Sequence, residues 1–371
     1  FANVYFASTM IGTTSNPDGT FILNRFPEGK YDLTVSFVGY NTYSKSIEVT
    51  ANEVIEVQIE LLPEVVSLPE VFVTADTSNW KRNFQSFQGY FLGTTPASEK
   101  TEILNKKKLA FYDDTGQKTL YAHAREPLVI KNEWLGYMVT YDMVSFQMEY
   151  RKGQLAYYGV PRFSFLEPKN KAVQRRWERN RKKEYKGSLL HFFRSMAQGN
   201  FANDKFIVFE IFKIPNPDRL PDELINERIA RYRGKRTELS GGAVTISVNG
   251  TGTLKPDDSL SYYLRERRKA KVIDSLGRQF KTGKELMEGD RVNYRGMLQI
   301  VYKGAKEAIE YPFKSRSTPS WQESRLHIKD TLRLYDNGYY EDVRSTYVEG
   351  YWSWTGTMAS ILPMDYVPPE K

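Results

Sequence analysis

The sequence predicts a mainly β fold with a minor helical part: a small N-terminal β-sandwich, then a larger antiparallel β-rich domain with one helical insertion. Three observations support this prediction. Aromatic residues make up 14% of the 371 residues. Aromatic side chains favour strands, where they pair with side chains of the neighbouring strand. Apolar and polar residues alternate with period two in the first 62 residues. One long stretch, 168–198, has helical periodicity instead.

The first 62 residues show the alternation most clearly. The apolar positions are Tyr31, Leu33, Val35 and Phe37 in one segment and Ile55, Val57, Ile59 and Leu61 in another. Turns are predicted at 16–19 and 27–30, where Pro fixes φ and Gly permits a positive φ. Half-buried antiparallel strands with such turns indicate a small sandwich over residues 1–62.

Several short motifs in this segment resemble the carboxypeptidase-regulatory-like domain. They are Phe1–Val4, Thr13–Phe21, Pro27–Tyr31 and Val38–Tyr40, followed by the closing alternating strand. The resemblance implies a seven-stranded, transthyretin-like sandwich without catalytic residues of its own. In that family an initial strand and a Gly-rich turn precede the first motif. We therefore expect the natural chain to begin upstream, with a signal sequence and, if the protein is lipid-anchored, an acylated cysteine.

Residues 63–83 are predicted to be a linker, since Pro63 and Pro69 interrupt any regular element. The run Leu68–Ala75 resembles the segment that follows the same sandwich in SusC-type outer-membrane nutrient transporters. The second domain is then predicted to cover 84–371, with the basic helical segment 168–198 inserted in it. Within that segment Gly187 and Ser188 separate two helices, and Ser188 has the residue type of an N-cap.

The remaining elements of the second domain are predicted from local patterns. Strands are expected within 84–166, notably at 119–124, 137–141 and 145–150, and then at 206–214, 244–248, 292–302 and 308–313. A short helix is predicted at 221–232. A closing hairpin is predicted from 326–335 and 339–348, because Asn337-Gly338 between two strand patterns is typical of a type I′ turn.

A second resemblance covers most of the chain. Its motifs are Phe91–Gly93, Gly159–Phe163, Arg175–Glu178, Tyr185–Phe192, Gly350–Trp354 and Leu362-Pro363. They resemble an uncharacterised family of Bacteroidota envelope proteins that carry the same N-terminal sandwich. The resemblance implies an exported protein of the periplasm or outer membrane and no particular chemistry.

The residue content disfavours catalysis. The sequence has no cysteine, which removes disulfides, thiolate nucleophiles and cysteine-based metal sites. His123, His191 and His327 are far apart and lack the spacing of metal ligands, so we interpret them as core or surface residues. The sequence therefore predicts a protein that is not an enzyme and has no metal or cofactor.

Two acidic pairs keep a different interpretation open. Asp113-Asp114 and Asp257-Asp258 would supply the paired carboxylates of a glycoside hydrolase if they lay at the required separation. Asp113, Asp114 and Thr115 would also be candidate calcium ligands, although the loop lacks a dense ligand repeat. Adjacent acids in loops with Gly or Pro are more often solvated turn residues, which is the interpretation we prefer.

The excess positive charge is concentrated in one segment. Residues 169–186 contain nine basic and two acidic residues, hence a net charge of +7, and the whole chain carries +8. The candidate interaction residues are Lys169, Lys171, Arg175, Arg176, Arg179, Arg181, Lys182 and Lys183. They form either a solvated helix face or a surface for an acidic partner protein or anionic lipid head groups, because like charges on a helix repel one another. Nucleic acid is not an expected partner, since no nucleic-acid-binding module accompanies the segment.

Two further expectations concern these and other surface residues. Replacing Arg175, Arg176, Arg179 and Arg181 with Gln is expected to leave folding intact, on the hypothesis that all four side chains are solvated. Ser259, Ser275 and Thr331 each follow an Asp and precede a Leu, a pattern that resembles the O-glycosylation signal of exported Bacteroidota proteins. Sugar is therefore expected on at least one of the three.

The aromatic residues near the C-terminal end admit three interpretations. Tyr351, Trp352 and Trp354, with Tyr347, would suit a sugar-stacking platform or a membrane-interface belt, because Trp and Tyr combine an apolar body with a polar tip. Packing in the core of the predicted hairpin is the simpler interpretation.

The sequence thus predicts a non-catalytic, outer-membrane-associated accessory or interaction subunit of an envelope complex for barrel assembly, secretion or nutrient uptake. A carbohydrate-binding protein that uses the C-terminal aromatics is one alternative. A hydrolase with acidic catalytic residues is the other.

Overall fold

The computed structural model describes residues 1–24, 26–37, 39–51, 53–63, 79–238, 260–313, 320–341 and 345–369. The fold is mainly β, with 38% strand and 23% helix in several antiparallel sheets, which confirms the predicted fold class. The chain divides into two compact units. The first contains Phe1–Phe209 and Gln279–Lys371, and the second contains Glu210–Arg278. The predicted boundary at 63–83 does not coincide with this division and stays a prediction.

The N-terminal segment forms a four-stranded antiparallel sheet. Its strands are β1 (Asn3–Phe6), β2 (Gly12–Thr14), β3 (Gly29–Ser36) and β4 (Tyr43–Val49), in the order β2-β1-β3-β4. Val4, Phe6, Tyr31, Leu33 and Val35 are buried in its core, so the alternation predicted for β3 is confirmed. Phe37 lies beyond the end of β3 and is exposed.

The strand predicted at Ile55–Leu61 is not formed, so this prediction is wrong. The segment has no ladder partner, yet Val57, Ile59 and Leu61 are half-buried against the core of the four-stranded sheet. The resemblance implied seven strands, and residues 1–63, as far as the structure describes them, contain four. Side-chain alternation reports which face is covered, whereas a strand also requires backbone pairing with a neighbour.

A six-stranded antiparallel sheet follows a helix, α1 (Trp80–Phe91). The strands are β5 (Thr101–Ile103), β6 (Leu109–Asp114), β7 (Thr119–Ala124), β8 (Leu128–Asn132), β9 (Tyr137–Glu149) and β10 (Gln154–Phe165). Their order is β5-β8-β9-β7-β6, with β10 also paired to β9. The expectation of strands from residue 84 is wrong up to Phe91. Phe84, Phe87 and Phe91 recur at helical spacing and pack on this sheet, which is why the segment is helical.

The two predicted helices of segment 168–198 are present. They are α2 (Lys171–Tyr185) and α3 (Leu189–Gln198). The Ser188 side chain accepts a hydrogen bond from the amide of His191 at 3.1 Å, which confirms Ser188 as the N-cap of α3. Asn170 caps α2 in the same way, through the amide of Val173 at 3.0 Å.

The second unit is built on two long strands and two helices. Strands β11 (Phe206–Pro215) and β12 (Val272–Phe280) enter and leave it, and α4 (Asp222–Glu238) and α5 (Leu260–Arg268) lie between them. Ile225, Ile229 and Tyr263 form the buried contact between the two helices. The predicted strand at Val244–Val248 lies outside the described residues.

Two further sheets, one large and one small, are present. The large sheet has the order β12-β11-β15-β16-β18, where β15 is Gly296–Lys306, β16 is Trp321–Ile328 and β18 is Thr346–Gly350. The small sheet consists of β13 (Met287–Glu288), β14 (Arg291–Val292) and β17 (Leu332–Arg333). A short helix, α6 (Tyr351–Thr355), follows β18. None of the helices in the described parts of the chain has the length and apolar character needed to cross a bilayer.

Two predictions about the last third of the chain are corrected. The turn at Asn337-Gly338 exists, but it closes on a single bridge between Leu334 and Tyr340. The long pairing is instead between β16 and β18, with Ile328 opposite Thr346. Residues 308–313 form turns where a strand was predicted. In both places the strand partner is set by the sheet as a whole, which local alternation does not encode.

Candidate interaction surface on a basic helix

One face of α2 is held against the turn that joins β8 to β9. Three of its side chains donate hydrogen bonds to consecutive carbonyl groups of that turn. The bonds run from Trp177 Nε1 to Glu133 O at 2.8 Å, from Asn180 Nδ2 to Trp134 O at 2.8 Å and from Arg181 Nε to Leu135 O at 2.7 Å. The helix is thereby fixed in rotation about its axis, so its opposite face is presented to solvent.

Arg181 belongs to the docked face. Its guanidinium carbon lies 4.4 Å from the ring centroid of Tyr137 and 4.8 Å from that of Phe165. This stacking adds a cation–π contact to the hydrogen bond with Leu135. The hypothesis that all four predicted arginines are solvated is therefore wrong for Arg181, which is half-buried and structural.

The basic face of α2 is defined here as Lys169, Lys171, Arg175, Arg176, Arg179 and Lys183. All six side chains are exposed. Lys171, Arg175 and Arg179 are spaced four residues apart and therefore form a row along the helix. Within the described parts of the chain, none of the six makes an ion pair with a carboxylate. Lys182 is half-buried, and its Nζ donates to Pro369 O at 3.4 Å.

The two acidic residues of the segment do not neutralise the basic face. Glu184 points to the docked side, where Trp134 Nε1 donates to its carboxylate at 3.0 Å. Burial raises the pKa of Glu184, because removal from water disfavours the charged form more than the Trp134 hydrogen bond supports it. Glu178 accepts a hydrogen bond from Gln174 at 3.1 Å. The basic face thus carries a surplus of positive charge, and none of its cations forms an ion pair with a carboxylate in the part of the chain that the structure describes.

The histidines lie in three separate elements, β7, α3 and β16. His191 Nδ1 accepts a hydrogen bond from the Gly187 amide at 3.1 Å, and its Nε2 lies 3.6 Å from Asp204. Burial lowers the pKa of His191, although Asp204 opposes that shift. His327 stacks on Tyr347 with ring centroids 3.9 Å apart. No group of three or more metal-binding side chains occurs among the residues described.

The acidic pair Asp113-Asp114 ends β6 and begins the following turn. Asp113 forms an ion pair with Arg82 at 2.9 Å. Asp114 Oδ1 accepts a hydrogen bond from the Gln117 amide at 2.9 Å. Both contacts are those of turn and surface residues. Asp257-Asp258 lies outside the described residues.

Three of the four C-terminal aromatics are packing residues, whereas Tyr347 is 42% exposed. Tyr351, Trp352 and Trp354 are each less than a tenth exposed. Trp352 Nε1 donates to Gly187 O at 2.6 Å, and Trp354 Nε1 donates to Thr94 Oγ1 at 3.1 Å. The interpretation of these residues as a sugar-stacking platform or a membrane belt is therefore wrong, because neither indole presents a free ring face. They pack in and around α6 and not in a hairpin core.

The three predicted glycosylation positions differ in access. Thr331 is exposed in the loop between β16 and β17. Ser275 is half-buried in the middle of β12, where an attached sugar would interfere with the packing of the strand. Ser259 lies outside the described residues. Modification of these residues stays a prediction.

A contact that the sequence did not predict attaches the N-terminal sheet to the rest of the first unit. Asn337 Nδ2 donates to Lys30 O at 3.1 Å, and the Tyr339 hydroxyl donates to Asp32 Oδ1 at 3.0 Å. Lys30 Nζ lies 3.3 Å from the carboxylate of Glu341. The Asn-Gly signal that predicted a hairpin turn marks this attachment instead, since the turn presents its side chains to β3.

Arg194 of α3 contributes to the same attachment of the N-terminal sheet. Arg194 donates hydrogen bonds to three carbonyl groups, those of Asn337 at 2.9 Å, Tyr366 at 2.8 Å and Met364 at 2.6 Å. The Met364 amide in turn donates to Ser8 O at 2.7 Å. The N-terminal sheet, the 335–341 turn and the C-terminal segment are therefore linked through one guanidinium group.

Comparison with known proteins agrees with the N-terminal assignment. Residues 1–73 match the family model of the CarboxypepD_reg-like domain. A search of curated proteins and a search of solved structures each found no match. The matched family extends over 73 of the 371 residues. The chain therefore contains a CarboxypepD_reg-like domain, joined to a larger β-rich part that carries the basic face of α2.

Proposed function

We propose that this protein is a non-catalytic interaction subunit of a cell-envelope complex at the outer membrane, and that the basic face of α2 binds an acidic surface of a partner protein. The proposal rests chiefly on one observation. Three side chains of α2 are held by hydrogen bonds to the 132–136 turn, while the six exposed cations of the basic face form no ion pair with a carboxylate of the described residues.

The geometry favours a partner over a purely solvated face for a physical reason. Like charges four residues apart on a helix destabilise it, each pair by about 0.2 to 0.5 kcal/mol. The row Lys171, Arg175 and Arg179 contains two such pairs. A helix that is otherwise well anchored tolerates this cost, and a complementary acidic surface would offset it. Such complementarity acts mainly on the association rate and on salt sensitivity.

The location in the envelope is supported by the N-terminal domain and by the resemblance of the remaining chain to Bacteroidota envelope proteins. It is tested separately, by fractionation of the native host: recovery of the protein in the cytosol would contradict it. Barrel assembly, secretion and nutrient uptake are the candidate processes, and the identity of the captured partner would decide among them.

The test of the basic face is a triple variant, Lys171→Gln, Arg175→Gln and Arg179→Gln. All three side chains are exposed, so the free energy of unfolding should stay within about 0.5 kcal/mol of the parent. Capture of the partner from envelope extracts should fall, and raised salt should reproduce the loss with the parent protein. The matched control is Lys107→Gln, Lys118→Gln and Arg151→Gln, which removes the same charge from exposed positions elsewhere.

Two outcomes would overturn the proposal. One is a folded triple variant that retains its partner at all salt concentrations. The other is equal loss of capture in the control variant, which would show an effect of net charge alone. Vesicles containing anionic lipid provide a further arm: binding that depends on the basic face, without any captured protein, would assign the face to lipid head groups instead.

A further inference from the structure

Strand β12 lies at the edge of the second large sheet, in the order β12-β11-β15-β16-β18, and β11 is its one strand neighbour among the described residues. The side chains of Val272–Arg278 alternate in exposure along the strand. Val272, Asp274, Leu276 and Arg278 are the exposed positions. Leu276, at the centre, is 58% exposed and Val272 is 48% exposed. One face of the strand therefore presents two apolar residues and two charged residues of opposite sign.

An exposed strand edge is a template for pairing with another strand, because its outward N–H and C=O groups seek partners. Proteins that must avoid such pairing place Pro, a bulge or charged side chains, especially Lys, on the edge. Residues 272–278 contain no Pro and no Lys, and their central exposed side chain is Leu. The two exposed charges, Asp274 and Arg278, are of opposite sign, so they would attract each other across a symmetric pairing and would not prevent it.

The sequence of the strand is complementary to itself. If two copies of β12 pair antiparallel about a two-fold axis through Leu276, residues at equal distances on either side of Leu276 lie opposite each other. Asp274 of one copy then faces Arg278 of the other, and the reverse pair forms by symmetry. Leu276 faces Leu276 of the second copy. Opposite charges and apolar pairs directly across two strands stabilise a sheet.

We propose that β12 is a homodimerisation edge, and that two copies of this chain join through antiparallel pairing of Val272–Phe280 in the register centred on Leu276. The expected partner is a second copy and not an unrelated protein, because antiparallel pairing of two identical strands places Asp274 of each copy opposite Arg278 of the other. The contact is made by β12 and does not include the basic face of α2.

Charge exchange tests the register. Asp274→Arg places Arg opposite Arg in the dimer, and Arg278→Asp places Asp opposite Asp, so each variant should dimerise about tenfold or more weakly. The double variant Asp274→Arg/Arg278→Asp should recover the dimer. An equimolar mixture of the two single variants should form a heterodimer, since Arg then faces Asp at both positions. Sedimentation velocity over a wide concentration range measures all four.

Two controls accompany this experiment. Asp274 also lies 4.0 Å from Lys213 within the chain, and Arg278 likewise has an interaction within the chain, so the melting temperature of each variant is measured to show that the strand remains folded. Arg267→Asp makes the same charge change at an exposed position of α5, outside β12, and should leave dimerisation unchanged.

Cross-linking gives a second, independent test. The chain has no cysteine, so Leu276→Cys introduces a single thiol that would face its own copy across the axis. Opposed residues in an antiparallel pair have Cα atoms about 4.5 to 5.5 Å apart, within reach of a disulfide. Mild oxidation should therefore give a covalent dimer. Val272→Cys should not, because in this register the two thiols are about 27 Å apart along the strands.

A monomer at every concentration, with no cross-link at Leu276→Cys, would overturn the inference. So would a dimer that is insensitive to both charge variants, or one in which Val272→Cys cross-links as readily as Leu276→Cys.

Discussion

The indole of Trp177 lies over the backbone of Gly136, so closely that a β-carbon built on Gly136 would come within 2.3 Å of the ring. Gly136 also has φ +74°, a conformation that residues with a side chain rarely adopt. This contact, with the three hydrogen bonds to the same turn, fixes which face of α2 is covered and which is free.

The first prediction concerns that contact. Gly136→Ala should lower the free energy of unfolding by about 2 to 4 kcal/mol, because it combines backbone strain with a clash against Trp177. Gly153→Ala is the matched control: Gly153 has φ +61° and no atom within 4 Å of the built β-carbon. The control should lose about 1 kcal/mol from strain alone. Denaturant unfolding measures both, and equal losses would contradict a role for the Trp177 contact.

The second prediction separates two arginines of the same helix. Arg181→Gln should destabilise the protein by about 2 kcal/mol, since it removes a charged hydrogen bond to Leu135 O and the stacking on Tyr137 and Phe165. Arg179→Gln should change stability by less than about 0.5 kcal/mol, because the side chain is exposed. Thermal unfolding compares the two. Similar melting temperatures would show that Arg181 is not an anchor.

The third prediction concerns attachment of the N-terminal sheet. Asn337→Ala removes the hydrogen bond to Lys30 O and the one that Asn337 Oδ1 accepts from the Tyr339 amide. We expect a loss of about 1 to 3 kcal/mol and faster hydrogen exchange in β3. Asp336→Ala changes the exposed neighbour in the same turn and serves as the control. Unchanged exchange in β3 would mean that Asn337 does not hold the sheet.

The fourth prediction is a pH dependence from Glu184. Its pKa is raised in the folded protein, so between its ordinary value of 4.5 and the raised value the folded state binds more protons than the unfolded state. The contribution of Glu184 to stability therefore falls as pH rises through that range. Glu184→Gln should remove this pH-dependent contribution. The free energy of unfolding of the variant, relative to the parent, should therefore be higher at neutral pH than at pH 4.

The measurement is the difference in free energy of unfolding between the parent and Glu184→Gln at a series of pH values. Taking the difference cancels other groups, including Asp365, whose pKa burial also raises. A difference that is constant with pH would contradict the burial of the Glu184 carboxylate.

Local pattern in the sequence determined several features correctly. The alternation at Tyr31, Leu33 and Val35 identified a strand with a buried face, and the periodicity of 168–198 identified two helices separated at Ser188. The concentration of charge on one helix was also visible. These features depend on the order of residues within one or two turns or one strand, where backbone geometry fixes which side chains share a face.

The tertiary structure alone decided which residues of that helix are free. Arg179 and Arg181 are the same residue type two positions apart. Arg181 nevertheless donates a hydrogen bond to the carbonyl of Leu135, 46 residues away, whereas Arg179 faces solvent. Long-range partners likewise decided that Ile55–Leu61 packs without a ladder, that β16 pairs with β18 and that Trp352 is buried. The physical reason is that burial and backbone pairing are settled by segments distant in sequence, which local periodicity does not specify.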